Sequence, residues 1–212
     1  MVFYSPSESR FTRHYREEVD MAFSAIDCVL NRERAVYAST ELTSGSRLYN
    51  ALRLAGVSSA TDLRQKHGQE WYTANVWDRN VVAAIEFAER TRATIGDGTM
   101  VITPAPFSAP GWSQPEYLAF WETLVRTRIK SAWFNDDWQF SNGCTFEFAV
   151  AVDAGVPTCD KNGRPLTLDD GIELIRKAIH QLDHDGIDSG KLKENLERLL
   201  SRRVPAQQIS QT

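Results

Sequence analysis

Glu147 stands almost alone as a charge in the most apolar stretch of the chain, Thr145-Phe146-Glu147-Phe148-Ala149-Val150-Ala151-Val152-Asp153-Ala154. The spacing predicts a short helix over residues 145–154, with Gly143 just before it and Gly155 and Pro157 stopping it. A helix apolar on nearly every side is packed on every side. A carboxylate inside one must be paired, held at a helix N-terminus, or kept because its charge is useful. As a purely structural feature it is a negative charge near a helix start, worth about 0.3–1 kcal/mol through the helix dipole. A capping box would need a good cap three residues earlier, and Cys144 is a poor one.

Three loops surround this residue with chemistry of different kinds. Residues 136–143 bring Asp136, Asp137, Trp138, Ser141, Asn142 and Gly143 just ahead of Glu147. Residues 40–46 offer the hydroxyls of Thr43, Ser44 and Ser46 and the amides around Gly45, with Arg47 at a helix start. That set suits a phosphate or carboxylate, and it equally makes an ordinary turn and helix cap. Residues 105–115 carry Phe107 and Trp112, flat surfaces that suit a base or aromatic ring or simply pack. GxSxG, GxGxxG and GxxxxGK[ST] are all absent, which disfavours a serine elbow, a dinucleotide fold and a P-loop.

The elements that must position these loops alternate. Apolar spacing predicts helices over residues 14–31, 47–54, 77–94, 116–130 and 145–154, and two more from Thr167 to about Leu182 and from Ser189 to about Arg203. Short strands fall at 35–39, 100–104, 132–135 and 156–159. Residues 57–75 read as a helical excursion capped by Thr61 or Asp62. In the helix over 77–94, Val81, Val82, Ala84, Ile85 and Ala88 are expected inward, and Trp71, Trp77, Trp121 and Trp133 are expected in the core. Strand–helix alternation implies an α/β fold: a mainly parallel, Rossmann-like sheet of about five strands flanked by helices on both faces, with extra N- and C-terminal helices. Residues 1–34, of which 1–12 look loose, form a helical extension packed on the core. Residues 35–204 form a single α/β domain, and 205–212 a mobile tail. In open α/β sheets ligands bind beyond the carboxyl ends of the strands, and all three loops leave strands on that side.

Composition narrows the class. With 42% hydrophobic and 25% charged residues among 212, neither disorder nor a membrane protein is favoured. No apolar run approaches the roughly 20 residues that span a bilayer, and the N-terminus lacks a signal peptide, so a cytoplasmic protein is expected. A net charge of −4 argues against a nucleic-acid polymer as partner. Cys28, Cys144 and Cys159 are too scattered for a disulfide framework or zinc site. His180 and His184 share a helix face, which reads as a solvated face before it reads as a metal site.

The pattern Trp138-x-x-Ser141-x-Gly143-x-x-x-Glu147-x-x-x-Ala151-x-x-x-Gly155-x-Pro157 resembles the nucleoside 2-deoxyribosyltransferase-like superfamily. Val36-Tyr37-Ala38 followed by Thr43-Ser44-Gly45 is similar too, as is the helix opening with Arg79-Asn80 and continuing through Ala83-Ala84. The resemblance covers residues 35–159. It implies that superfamily's fold and cleavage of the N-glycosidic bond of a nucleoside or nucleotide, or transfer of the sugar to another base. Glu147 then corresponds to the glutamate that attacks the anomeric carbon and forms a sugar ester. Members acting on free nucleosides carry an aspartate six residues before the glutamate, where this chain has Ser141. A serine there is similar to the N-glycosidases of nucleoside 5′-monophosphates, which makes Ser44, Ser46, Arg47 and Ser141 a phosphate pocket. Tyr37, Thr43, Gly45, Trp138, Asn142 and Gly143 complete the implied substrate contacts. The helix over 116–130 departs from the pattern, since its expected catalytic aspartate is replaced at best by Glu122. Asp136 and Asp137 are the other groups able to protonate the leaving base. No cofactor or metal is implied, and relatives commonly form homodimers or higher homo-oligomers. The competing readings are a hydrolase of another N-ribosyl compound such as NAD, and a nucleotide-binding protein without the chemistry. The leucine face of the last helix (Leu192, Leu196, Leu199, Leu200) serves either a subunit interface or its own domain.

Overall fold

The computed structural model describes residues 13–30, 35–96 and 98–203. The loose opening and the mobile tail expected from the sequence lie outside them. Four parallel strands, β1 (Ala35–Ser39), β2 (Val101–Ile102), β3 (Ile129–Phe134) and β4 (Thr158–Cys159), form one sheet in the order β2-β1-β3-β4. Among the described residues the sheet has four strands, where about five are expected from the sequence. After Cys159 the chain turns tightly, with Gly163 N–H donating to Asp160 C=O at 3.0 Å. An isolated antiparallel bridge from Cys159 to Pro165 follows, and the chain then commits to helices.

The helices are α1 (Arg13–Leu30), α2 (Ser46–Ala55), α3 (Ala60–His67), α4 (Gln69–Tyr72), α5 (Asp78–Ile95), α6 (Gln114–Arg128), α7 (Asn142–Asp153), α8 (Leu168–His184) and α9 (Gly190–Arg203). A π-helical stretch, Thr73–Trp77, joins α4 to α5, and a 3-10 turn, Trp138–Phe140, precedes α7. Strand β1 is buried along its whole length, and its side chains alternate between two cores. Val36 and Ala38 join Phe87 and Ala88 of α5 on one face. Ala35 and Tyr37 join Phe120, Trp121, Phe148 and the residues of α2, α7 and α8 on the other. From β1 the chain reaches β2 by way of α5. It then returns across to β3 and β4 through α6 and α7.

Local chemistry explains most boundaries. Thr167 and Asp170 form the capping box of α8, and Ser113 with Glu116 does the same for α6, where Pro115 sits in the first turn. Gly56, in the left-handed region at φ 66°, ends α2. The excursion over 57–75 is capped by neither Thr61 nor Asp62. Ser59 Oγ accepts the Asp62 N–H at 3.1 Å.

The inward face of α5 is also rotated from the expected one. Its buried stripe is Asn80, Ala84, Phe87, Ala88 and Thr91, whereas Val82 and Ile85 are 54% and 40% exposed and Trp77 lies at the surface. Asn80 anchors this rotation by donating to Leu42 C=O at 2.8 Å and accepting from Arg47 Nε at 2.8 Å. A buried polar pair set the face that apolar content alone misassigned. In α9, Leu192 and Leu199 are fully buried in the domain's own core, so that face packs inward. No helix among the described residues is long and apolar enough to cross a membrane.

One contact fixes how α7 lies under α8. A Cβ added at Gly171 would sit 2.2 Å from Phe148 Cε1, so the ring fills the space a side chain would need. Gly171→Ala is expected to destabilise the fold by about 1–3 kcal/mol through overpacking. Urea unfolding measures this, and an unchanged midpoint would refute the close packing.

Candidate active site

Helix α7 starts at Asn142, three residues earlier than its apolar run, because Ser141 caps it by accepting the Cys144 N–H at 3.3 Å. Glu147 therefore lies in the second turn, beyond the reach of a dipole effect confined to the first. What holds its charge is strand β1. Tyr37 Oη donates to Glu147 Oε1 at 2.8 Å, and Ser39 Oγ donates to Oε2 at 2.6 Å. Tyr37 and Ser39 are two residues apart on the strand and so share one face. Glu147 is 6% exposed. Burial raises its pKa from 4.5 to about 7, against the lowering pull of the Ser39 and Tyr37 hydroxyls. Burial and the neighbouring carboxylate also push the Tyr37 hydroxyl and the Cys144 thiol well above their usual values.

A second buried carboxylate follows two residues after Ser39. Glu41 accepts the Ser46 N–H at 2.8 Å and the Ser46 hydroxyl at 3.3 Å, and the Arg47 amide also bonds to it. Burial raises its pKa, the amides lower it, and the charge of Asp137 raises it further. Ser46, Tyr49 and Asp137 line a cleft of about 230 Å³ together with Asn50, Arg53, Phe140 and Asp185. This cleft lies where the loops after β1 and β3 part. That is the point at which an open α/β sheet accommodates ligands. An apolar cleft of about 480 Å³ opens beyond β2, with Phe107, Phe120, Trp121 and Thr103 among its walls. It is one ring away from Tyr37, whose centroid is 5.9 Å from that of Trp121.

The other expected site residues divide. Ser44 Oγ accepts the Asn142 N–H at 3.0 Å, which joins the first loop to the start of α7. Gly143 follows in the same turn beside Ser141. Thr43 faces solvent, and Arg47 turns its guanidinium to Asn80. Asp137 is exposed in the left-handed region at φ 58°. Trp138 is core, with its ring 4.7 Å from Phe148 and 5.0 Å from Phe134. The charge of Glu122 is engaged by cations. It pairs with Arg126 at 2.9 Å and Arg198 at 3.5 Å, cations it shares with Asp153 at the far end of α7. Asp136 pairs with Lys161 at 2.6 Å. Trp112 packs on Tyr15 and donates to Glu18 at 2.7 Å, a structural role. Among the described residues no three His, Cys, Asp or Glu groups gather as a metal ion would need.

Sequence reasoning overlooked Ser39 and Glu41. Their signal was the period-two series Tyr37-x-Ser39-x-Glu41, which puts three polar groups in register at the end of an otherwise apolar strand. Comparison of the chain with protein-family models, with curated proteins and with solved structures finds no match.

The raised pKa has a consequence for stability. Between pH 4.5 and about 7 the folded chain holds a proton at Glu147 that the unfolded chain has released. The stability from this group is complete below the lower value and falls as pH rises through the upper, by roughly 3 kcal/mol in all. Glu147→Gln has no such titration. Urea midpoints at pH 5 and pH 8 should therefore show the variant gaining on the wild type by that order. A difference that stays constant with pH would refute the shift.

Proposed function

We propose that the protein is an N-glycosidase with a Rossmann-like core, breaking the base–sugar bond of a nucleoside or its 5′-monophosphate, with transfer of the sugar to another base as a variant outcome. The observation that carries this reading is the buried Glu147 carboxylate, each oxygen on one hydroxyl of β1, the strand at which the sheet order reverses. The sequence pattern around it supports the same chemistry.

In the proposed step one Glu147 oxygen forms a bond to the anomeric carbon while the carbon–nitrogen bond to the base breaks. The bonding pair leaves with the base nitrogen, which takes a proton from solvent, and the water or base that attacks afterwards gives one back. Water, or a second base, then attacks the same carbon and frees the carboxylate. A desolvated carboxylate suits both halves, because it stabilises an oxocarbenium-like transition state and then captures it. Tyr37 and Ser39 aim the carboxylate and keep part of it ionised near neutrality. The apolar cleft offers Phe107 and Trp121 as walls for the base, and Thr103 Oγ1 there is buried with no hydrogen-bond partner among the described residues.

A second reading is a nucleotide-binding protein without catalysis. It is favoured by one observation, that both Glu147 oxygens are satisfied within the fold. Incubation with nucleosides, 5′-monophosphates and NAD, followed by chromatography for free base, separates the readings. Base release that Glu147→Gln abolishes while binding persists supports the enzyme. Binding with no release from any compound supports the second reading.

The pH profile provides a further check. A nucleophile with a pKa of about 7 must ionise to act. The kcat/KM should therefore fall about tenfold for each unit of pH below 6 and level off above 8. A flat profile from pH 5 to 8 would exclude Glu147 as the titrating nucleophile.

A further inference from the structure

We propose that Glu41, which lies behind Ser46 in the wall of the crevice, sets which end group the crevice accepts, admitting an uncharged 5′ hydroxyl and refusing a 5′ phosphate. The proposal rests on the glycosidase reading for the identity of the sugar, and it deepens that reading by naming the substrate class. The donors at the start of α2, the Ser46 amide and hydroxyl and the Arg47 amide, are already taken. Glu41 Oε2 accepts the Ser46 N–H at 2.8 Å, and the Ser46 hydroxyl lies 3.3 and 3.4 Å from its two oxygens. The Arg47 amide completes the cradle. A phosphate needing these groups would have to displace a carboxylate built into the chain.

The loop is shaped around that carboxylate. A Cβ on Gly45 would lie 1.9 Å from Glu41 Oε2, and Gly45 also adopts φ +126°, which side chains rarely take. Asn80 pins the same loop through Leu42 C=O at 2.8 Å. Glu41 is only 8% exposed, so solvent screens its charge poorly. Asp137, lining the cleft, adds a second charge of the same sign close enough to act on Glu41. The cleft's cation, Arg53, shares it with Asp185. The Arg47 guanidinium is turned to Asn80. A phosphate entering here meets like charges, whereas a hydroxyl can donate to a carboxylate oxygen.

The test compares a nucleoside with its own 5′-monophosphate as substrates for the wild type, Glu41→Gln and Glu41→Ala, with inorganic phosphate binding followed by calorimetry. The wild type should favour the nucleoside in kcat/KM. Glu41→Gln keeps an acceptor for the Ser46 amide but removes the charge, and it should narrow that ratio by at least about tenfold. Glu41→Ala should bind inorganic phosphate more tightly by a similar factor. A purely structural brace would lower both substrates together and leave their ratio unchanged. A wild type that prefers the monophosphate overturns the proposal, and so does an unchanged ratio in folded Glu41→Gln. If no base is released from either compound the glycosidase reading fails. Phosphate binding then decides the role of Glu41: tighter binding in Glu41→Ala or Glu41→Gln upholds it, and equal binding in all three proteins sinks it.

Discussion

The two hydrogen bonds from Tyr37 and Ser39 to Glu147 constrain everything around them. A carboxylate removed from water costs several kcal/mol unless its lone pairs find donors. Both donors come from one face of β1, so α7 must lie across that face at a fixed height. The strand can offer them because it is central, with β2 on one side and β3 on the other, and buried from end to end. An edge strand would leave the same hydroxyls wet and the carboxylate half-hydrated. The sheet order follows the same geometry. The chain reaches β2 through α5 on one face and β4 through α7 on the opposite face, so the sheet order reverses beside β1.

What the sequence made legible is what local chemistry decides. Strand β1 needs only its five apolar and small residues, and the start of α8 needs only Thr167 and Asp170 at capping distance. Glu147 was visible because a charge in an apolar helix is unusual wherever the helix packs. Its partners were not visible, because Tyr37 and Ser39 lie 110 and 108 positions away. Periodicity can say that Ser39 shares a face with Tyr37, but nothing in it says which helix covers that face. One boundary and one helix face differ from expectation for related reasons. Gly143 reads as a break, yet it is tolerated in the first turn of α7 once Ser141 supplies the cap. In α5 the apolar residues outnumber the places available, and the polar anchor Asn80 decides which of them stay outside.

Glu41 shows why a loop rich in donors is not yet an anion site. Backbone N–H groups at a helix start are almost never left unpaired when buried, so the question is always which acceptor they have. In α2 that acceptor is supplied five residues upstream by the same chain. The serine and glycine composition that suggested phosphate is equally the composition that lets a glutamate fold back onto a helix end. Sequence carries both possibilities because it lacks the distance between the carboxylate and the amides.

The choice of hydroxyls as partners for Glu147 also bears on what the carboxylate can do. Burial raises its pKa and the hydroxyl donors lower it, and the balance falls near neutrality. An arginine in the place of Tyr37 would hold the charge more firmly, but it would pull the pKa far down and bind the oxygens in a fixed fork. Such a pair stabilises a fold and makes a poor nucleophile. A hydroxyl donates one bond, rotates, and can follow an oxygen as it moves toward a carbon. Two neutral donors are therefore the weakest set that still permits burial. A structural role alone would gain from stronger ones, whereas a carboxylate that must ionise, react and return is served by the weakest set that suffices.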